Sequence, residues 1–178
     1  MAFWANFLGY QLVWFIAVSS AGRSSSAPGI CAGILFVASQ LATSRRWLPE
    51  LRLLAVALAC GVIIDGTLAA SGLLQYAAEE PALPPGGAPA WILTLWVSFA
   101  TTLTRSLRWL EGRIGIAALV GAVGGPLAYL GAARGWNAVI FPAPAWHAEA
   151  CLAAGWAAAL ALLVRLAALP RADAVMVS

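Results

Sequence analysis

A single aspartate set deep in an apolar run is the most chemically suggestive residue of this 178-residue chain. Asp65 lies about fourteen residues into the run 51–76, roughly 21 Å along it if the run is a helix. A carboxyl group at that depth in hydrocarbon costs about 2.5 kcal/mol or more unless it is neutral, paired or wetted, and such acids mark sites by default. Asp65 therefore reads as a protonatable or ligand-binding group. The competing reading is a neutral, hydrogen-bonded acid that fixes helix packing. Depth selects its expected partners: Tyr129 first, from the fifth apolar run, and Ser98 second, from the fourth. Trp14, Trp96 and Trp156 also fall well inside their runs. The expected ligand-binding set is thus Asp65, Tyr129, Trp96, Ser98, Trp14 and Trp156, and no residue is assigned a catalytic role.

Other features narrow the chemistry. Arg105 is the nearest-looking cation, but about 14 Å along the helix axis separates it from Asp65, so no ion pair between them is expected. Gly124-Gly125-Pro126 interrupts the fifth run; a proline without its N–H and with a clashing ring predicts a bend or an unwound stretch there. Small residues recur at four-residue spacing, at Gly29 and Gly33, Gly121 and Gly125, and Ala153, Ala157 and Ala161, which suits close helix packing within the chain. One histidine, His147, rules out His-rich metal centres, and no HExxH, GxSxG or P-loop occurs. The reading calls for no metal and no cofactor. Cys31, Cys60 and Cys151 show no paired spacing, although Cys31 and Cys151 are expected near one face, which leaves a disulfide open.

The elements that carry these residues follow from composition. Hydrophobic residues make up 62% of the chain and charged ones 10%, against about 25% charged in a soluble domain. So little charge cannot coat a wetted globule, and a bilayer is the solvent it fits. Six apolar blocks stand out, at about 3–20, 28–44, 51–76, 91–110, 114–133 and 146–169. Their lengths suit helices that cross about 30 Å of hydrocarbon, and they lack the alternation of barrel strands. The expected fold is all-α: one polytopic domain, 1–178, of six transmembrane helices joined by short loops. With the N-terminus inside, Arg45, Arg46, Arg52, Arg105, Arg108, Arg113, Arg165 and Arg171 fall at the cytoplasmic face, and Arg23 and Arg134 outside. That bias puts both termini in the cytoplasm. Trp4, Trp47 and Trp109 then form an inner aromatic belt, and Trp91, Trp136 and Trp146 an outer one. The scattered net charge of +3 argues against nucleic-acid binding.

Several local patterns also carry a resemblance. They are Asn6-Phe7-Leu8, Gln11 and Trp14-Phe15; Glu50-Leu51, Asp65-Gly66, Gly72 and Tyr76; Leu95-Trp96; Phe99 through Leu103; Ser106-Leu107; Trp109-Leu110; and the run Gly121 through Tyr129. Together they resemble the small bacterial inner-membrane family called domain of unknown function 2878, over nearly the whole chain. The sequence departs from it in carrying Thr104-Arg105 where the family has an amide-bearing residue before Ser-Leu. The resemblance implies an inner-membrane location and no established activity. Fatty-acid-modifying enzymes that often neighbour members point to a lipid-linked role. Two functions follow as expectations. One is a carrier or accessory subunit holding a lipid-like or hydrophobic small molecule near Asp65, with the bilayer and a lipid-modifying enzyme as partners. The other is a membrane-embedded enzyme acting on acyl chains, with Asp65 as acid or base.

Overall fold

The computed structural model describes residues 2–44 and 47–168. Its helices are α1 (Ala2–Ala21), α2 (Ala27–Ala42), α3 (Trp47–Ala70), α4 (Ala90–Leu103), α5 (Ile114–Trp136) and α6 (Trp146–Ala167), so the fold is helical as expected. Arg45, Arg46 and Arg171, and the end of the sixth block at 169, lie outside the described residues.

Among the described residues, three helices rather than six are long and apolar enough to cross a membrane by length and composition: α3, α5 and α6. The shortfall has local causes. With 16 and 14 residues, α2 and α4 reach about 24 and 21 Å. Asn6, Tyr10 and Gln11 dilute the apolar character of α1. The fourth block overran its helix. Thr101 and Thr102 turn their hydroxyls back onto the carbonyls of Ser98 and Phe99, at 2.7 and 2.6 Å, a habit that competes with regular helix. The chain then closes a turn from Leu107 N to Thr102 O at 2.7 Å and forms a 3-10 turn at Arg108–Leu110. The third block overran as well: Gly72 adopts a left-handed φ of +69°, so α3 stops at Ala70 and not at residue 76.

The short helix α4 is the centre of the bundle and packs against α1, α2, α3 and α6. Trp91, Trp96, Ser98 and Ala100 along it are fully buried. The surrounding helices instead turn large apolar side chains outward, among them Leu8, Leu12, Leu35, Ile63, Leu119 and Leu127. An apolar exterior of that extent is a liability in water and what a bilayer accepts, and these apolar helices are those of a membrane protein. The small-residue pairs pack inside the chain. A Cβ on Gly29 would lie 2.8 Å from Ala17 Cα, and one on Gly33 2.9 Å from Thr94 Cβ.

The connections at one end form a cap. Strand β1 (Gln75–Tyr76) pairs antiparallel with β4 (Val139–Ile140), and β2 (Ala82–Leu83) with β3 (Ala88–Pro89). Ser26 Oγ ties the cap down by donating to Glu80 O at 2.5 Å. Trp91 corrects the expected outer belt: it is fully buried and donates its indole N–H to Ala78 O at 2.9 Å. Trp136 is half-buried, whereas Trp4, Trp47, Trp109 and Trp146 are exposed. At the other end, Arg105 pairs with Glu50 at 3.3 Å and donates to Gln40 O at 2.8 Å. Asn6 joins the same corner, donating to Gln40 Oε1 at 3.0 Å and accepting from Ser106 Oγ at 2.7 Å.

Candidate functional site

Asp65 lies beneath the cap, because Ala70 ends α3 only about 8 Å further along the axis. It is fully buried, and its carboxyl group is the hub of an aromatic cluster. Trp96 of α4 donates its indole N–H to Oδ2 at 2.6 Å. Tyr76 of β1 donates its hydroxyl to Oδ1 at 2.8 Å, and Tyr129 of α5 donates to the same oxygen. Three elements that meet nowhere in sequence thus converge on one side chain. An indole can only donate, so Oδ2 acts as an acceptor.

Two glycines make this convergence possible. A Cβ on Gly61, one turn before Asp65, would stand 2.6 Å from Trp96 Cδ1, so glycine there opens the notch through which the indole reaches the acid. A Cβ on Gly125 would stand 2.4 Å from Trp156 Cγ, so α5 offers a matching notch to α6. The two indoles meet between the notches, with rings stacked at 4.0 Å and 18°. Phe99 meets Trp156 edge-on at 5.4 Å.

Beside this cluster is a cavity of about 40 Å³, room for water or a small group. Its wall is strongly aromatic: Tyr10, Trp14, Trp91, Trp96, Tyr129 and Trp156, completed by aliphatic side chains of α1, α4, α5 and β4. Trp96 and Tyr129 belong both to this wall and to the Asp65 hub. Trp156 Nε1 lies beside the Tyr129 hydroxyl without closing a hydrogen bond to it.

Of the six expected site residues, Asp65, Tyr129 and Trp96 are joined directly by hydrogen bonds, and Trp14 and Trp156 line the adjoining cavity. Ser98 does not join them. It turns toward α2, where a Cβ on Gly33 would lie 3.4 Å from its hydroxyl, and that hydroxyl has no partner. The break expected at Gly124-Gly125-Pro126 is not an unwound one, since α5 stays helical from Ile114 to Trp136 with Pro126 inside it. Gly125 serves the approach of Trp156 instead, while Gly124 faces open space. Sequence reading missed Tyr76, Tyr10 and Trp91 as site residues. The Gly72 break was the signal that Tyr76 left the helix and was free to fold back. Arg105 stays with Glu50 and away from Asp65.

Chemically, the hub is well filled. Both carboxyl oxygens are engaged by donors. Among the described residues no three His, Cys, Asp or Glu side chains come together. Cys31, Cys60 and Cys151 are free thiols, so the disulfide left open between Cys31 and Cys151 is not formed. The arrangement holds aromatic side chains in fixed positions around a small apolar space.

Comparison with known proteins places residues 3–162 in the family described as "Protein of unknown function (DUF2878)". No curated protein and no solved structure matches the chain.

Proposed function

The chain belongs to the DUF2878 family, and from the geometry around Asp65 we propose that it is a carrier or accessory subunit for a lipid-like or hydrophobic ligand. It works in the bacterial inner membrane with both termini in the cytoplasm, and all six helices lie in the bilayer. The arginine distribution and the exposed apolar faces of α1 and α2 support this placement. The short α4 fits because its neighbours, and not lipid, surround it.

One observation carries the ligand reading. Trp96 and Tyr129 line the aromatic cavity with one face of the cluster and are pinned to Asp65 by the other. A buried acid that orders aromatic side chains pre-organises a pocket, and rigid walls lower the entropic cost of holding a ligand. The enzyme reading has less support, because an acid or base must have an oxygen free for the substrate proton. Here both Asp65 oxygens already accept hydrogen bonds from protein donors, two on Oδ1 and one on Oδ2.

The test is photolabelling of the purified full-length protein in lipid nanodiscs with an alkyl diazirine. Label is expected on peptides carrying Trp14, Trp96 and Trp156. Ala128→Leu, which fills the cavity from its α5 wall, should remove that label and leave label on the outer faces. Label confined to the outer faces in the unaltered protein would overturn the reading.

A further inference from the structure

Where α3 meets the cap, an open groove of about 510 Å³ separates the helix from the turn at 84–87, a volume in the range of small-molecule sites. Buried Gly66 and Gly87 form its floor, and exposed Thr67, Ser71, Pro84 and Pro85 its rim. Depth along α3 decides what meets it. Counted from Trp47, Val62 at one end lies about 22 Å along the helix and Ser71 at the other about 36 Å. Those depths fall on either side of the edge of a hydrocarbon core about 30 Å thick. The groove also continues the apolar outer face of α3, where Ile63, next to Val62, is 66% exposed. With α3 in the bilayer, lipid is what reaches this place, its chain end at Val62 and its glycerol end at the two hydroxyls. We propose that the groove binds a neutral glycerolipid of the diacylglycerol class. This second site rests on the membrane placement above and is independent of the cavity beside Asp65.

Charge selects the head of the lipid. No residue lining the groove is charged. A phosphate wants cations or clustered N–H donors. Pro84 and Pro85 have no N–H, and Gly87 spends its own on Pro84 O at 2.8 Å. The groove also adjoins the C-terminal, negative end of α3, and residues 71–90 hold Glu79 and Glu80 but no cation. An ammonium headgroup would suit that field, but in a phospholipid it brings a phosphate with it. A free hydroxyl and ester carbonyls meet no such conflict. Ser71 Oγ donates to Leu68 O at 3.2 Å, which leaves its lone pairs to accept from the lipid hydroxyl, and Thr67 can donate to an ester carbonyl.

The experiment photolabels the full-length protein in phosphatidylcholine nanodiscs with diacylglycerol, phosphatidylethanolamine and phosphatidylglycerol in turn. Each carries a diazirine on its acyl chain near the ester and is used at equal mole fraction. Relative to label on the outer faces of α1 and α2, pepsin peptides covering 62–71 and 84–87 should take about 2- to 10-fold more from diacylglycerol than from either phospholipid, the effect of one hydrogen bond. Thr67→Val combined with Ser71→Ala should abolish that preference. Ala70→Trp, which fills the groove from an exposed position, should remove the groove label itself. The ranking in the unaltered protein is decisive even if a variant does not fold. Equal groove labelling by the three probes, a phospholipid labelling best, no groove label, or a preference that survives the loss of both hydroxyls overturns the proposal and leaves the membrane placement standing. Absence of label from every helix face overturns the placement as well.

Discussion

The indole N–H of Trp96 meets Oδ2 of Asp65 at 2.6 Å, through a notch that exists because residue 61 has no side chain. The bond joins the central helix to one of the long apolar outer helices, and it fixes the indole that stacks on Trp156. A single acid thereby sets the positions of aromatic side chains from α4, α5 and the cap.

Asp65→Asn and Asp65→Leu should separate on stability. Leucine strands the donors of Trp96, Tyr76 and Tyr129 in a buried site, and each unsatisfied group costs about 1–3 kcal/mol. Asparagine keeps one acceptor oxygen, and the phenol hydroxyls can rotate to accept from its amide, so a loss of about 1–3 kcal/mol is expected. Unfolding of the purified protein in detergent should rank native above Asn and Asn above Leu. A leucine variant as stable as the native protein would contradict the hub.

Some of this was legible in sequence and some was not, for a physical reason. On a helix, residue number gives depth, so Tyr129 was correctly paired with Asp65 across two runs. Depth does not give rotation. Trp96 and Ser98 are two residues apart and therefore point about 200° away from each other, so they cannot both face α3, and Ser98 faces α2. Gly72 could signal that Tyr76 leaves the helix, but where its phenol goes depends on a two-residue strand pairing with Val139, which no periodicity announces. Gly61 gave no signal in the sequence, and Gly125 read as a packing residue and part of a helix break, since which indole needs the space is a tertiary fact.

Gly121→Ala and Gly124→Ala should act in opposite directions. A Cβ at 121 would meet the carbonyl oxygen of Trp156 at 2.3 Å, so α6 must move away, at about 1–3 kcal/mol. A Cβ at 124 meets nothing within 4 Å, and alanine should gain about 0.5–1 kcal/mol from lower backbone entropy in the unfolded chain. Denaturation midpoints of the two variants should fall on either side of the native one. Equal shifts would show that the α5–α6 contact is not set by glycine.

Topology has a direct test. In a background lacking Cys31, Cys60 and Cys151, Glu79→Cys in the exposed cap should react with an impermeant thiol reagent on intact cells. Arg108→Cys, equally exposed at the other end, should react only after lysis. The reverse pattern would invert the assignment, and labelling of both in intact cells would place the two ends on the same side.

The two phenols on Oδ1 should be coupled energetically. Tyr76 and Tyr129 both donate to that oxygen, so removing either hydroxyl leaves it with one partner, and a single Tyr→Phe change should cost about 1 kcal/mol. Removing both leaves a fully buried oxygen with none, which adds the desolvation cost of an orphaned acceptor. The double variant should therefore lose more than the sum of the singles, by about 1–2 kcal/mol, within the range seen for contacting residues. The singles should also differ in kind. Tyr76 anchors β1, so Tyr76→Phe should speed hydrogen exchange in the cap amides around Ala77, whose N–H donates to Ala138 O at 3.0 Å. Tyr129 is held in the middle of a continuous helix, so Tyr129→Phe should leave those amides unchanged. Additive losses, or equal exchange in the two variants, would mean that the shared oxygen does not couple cap to core.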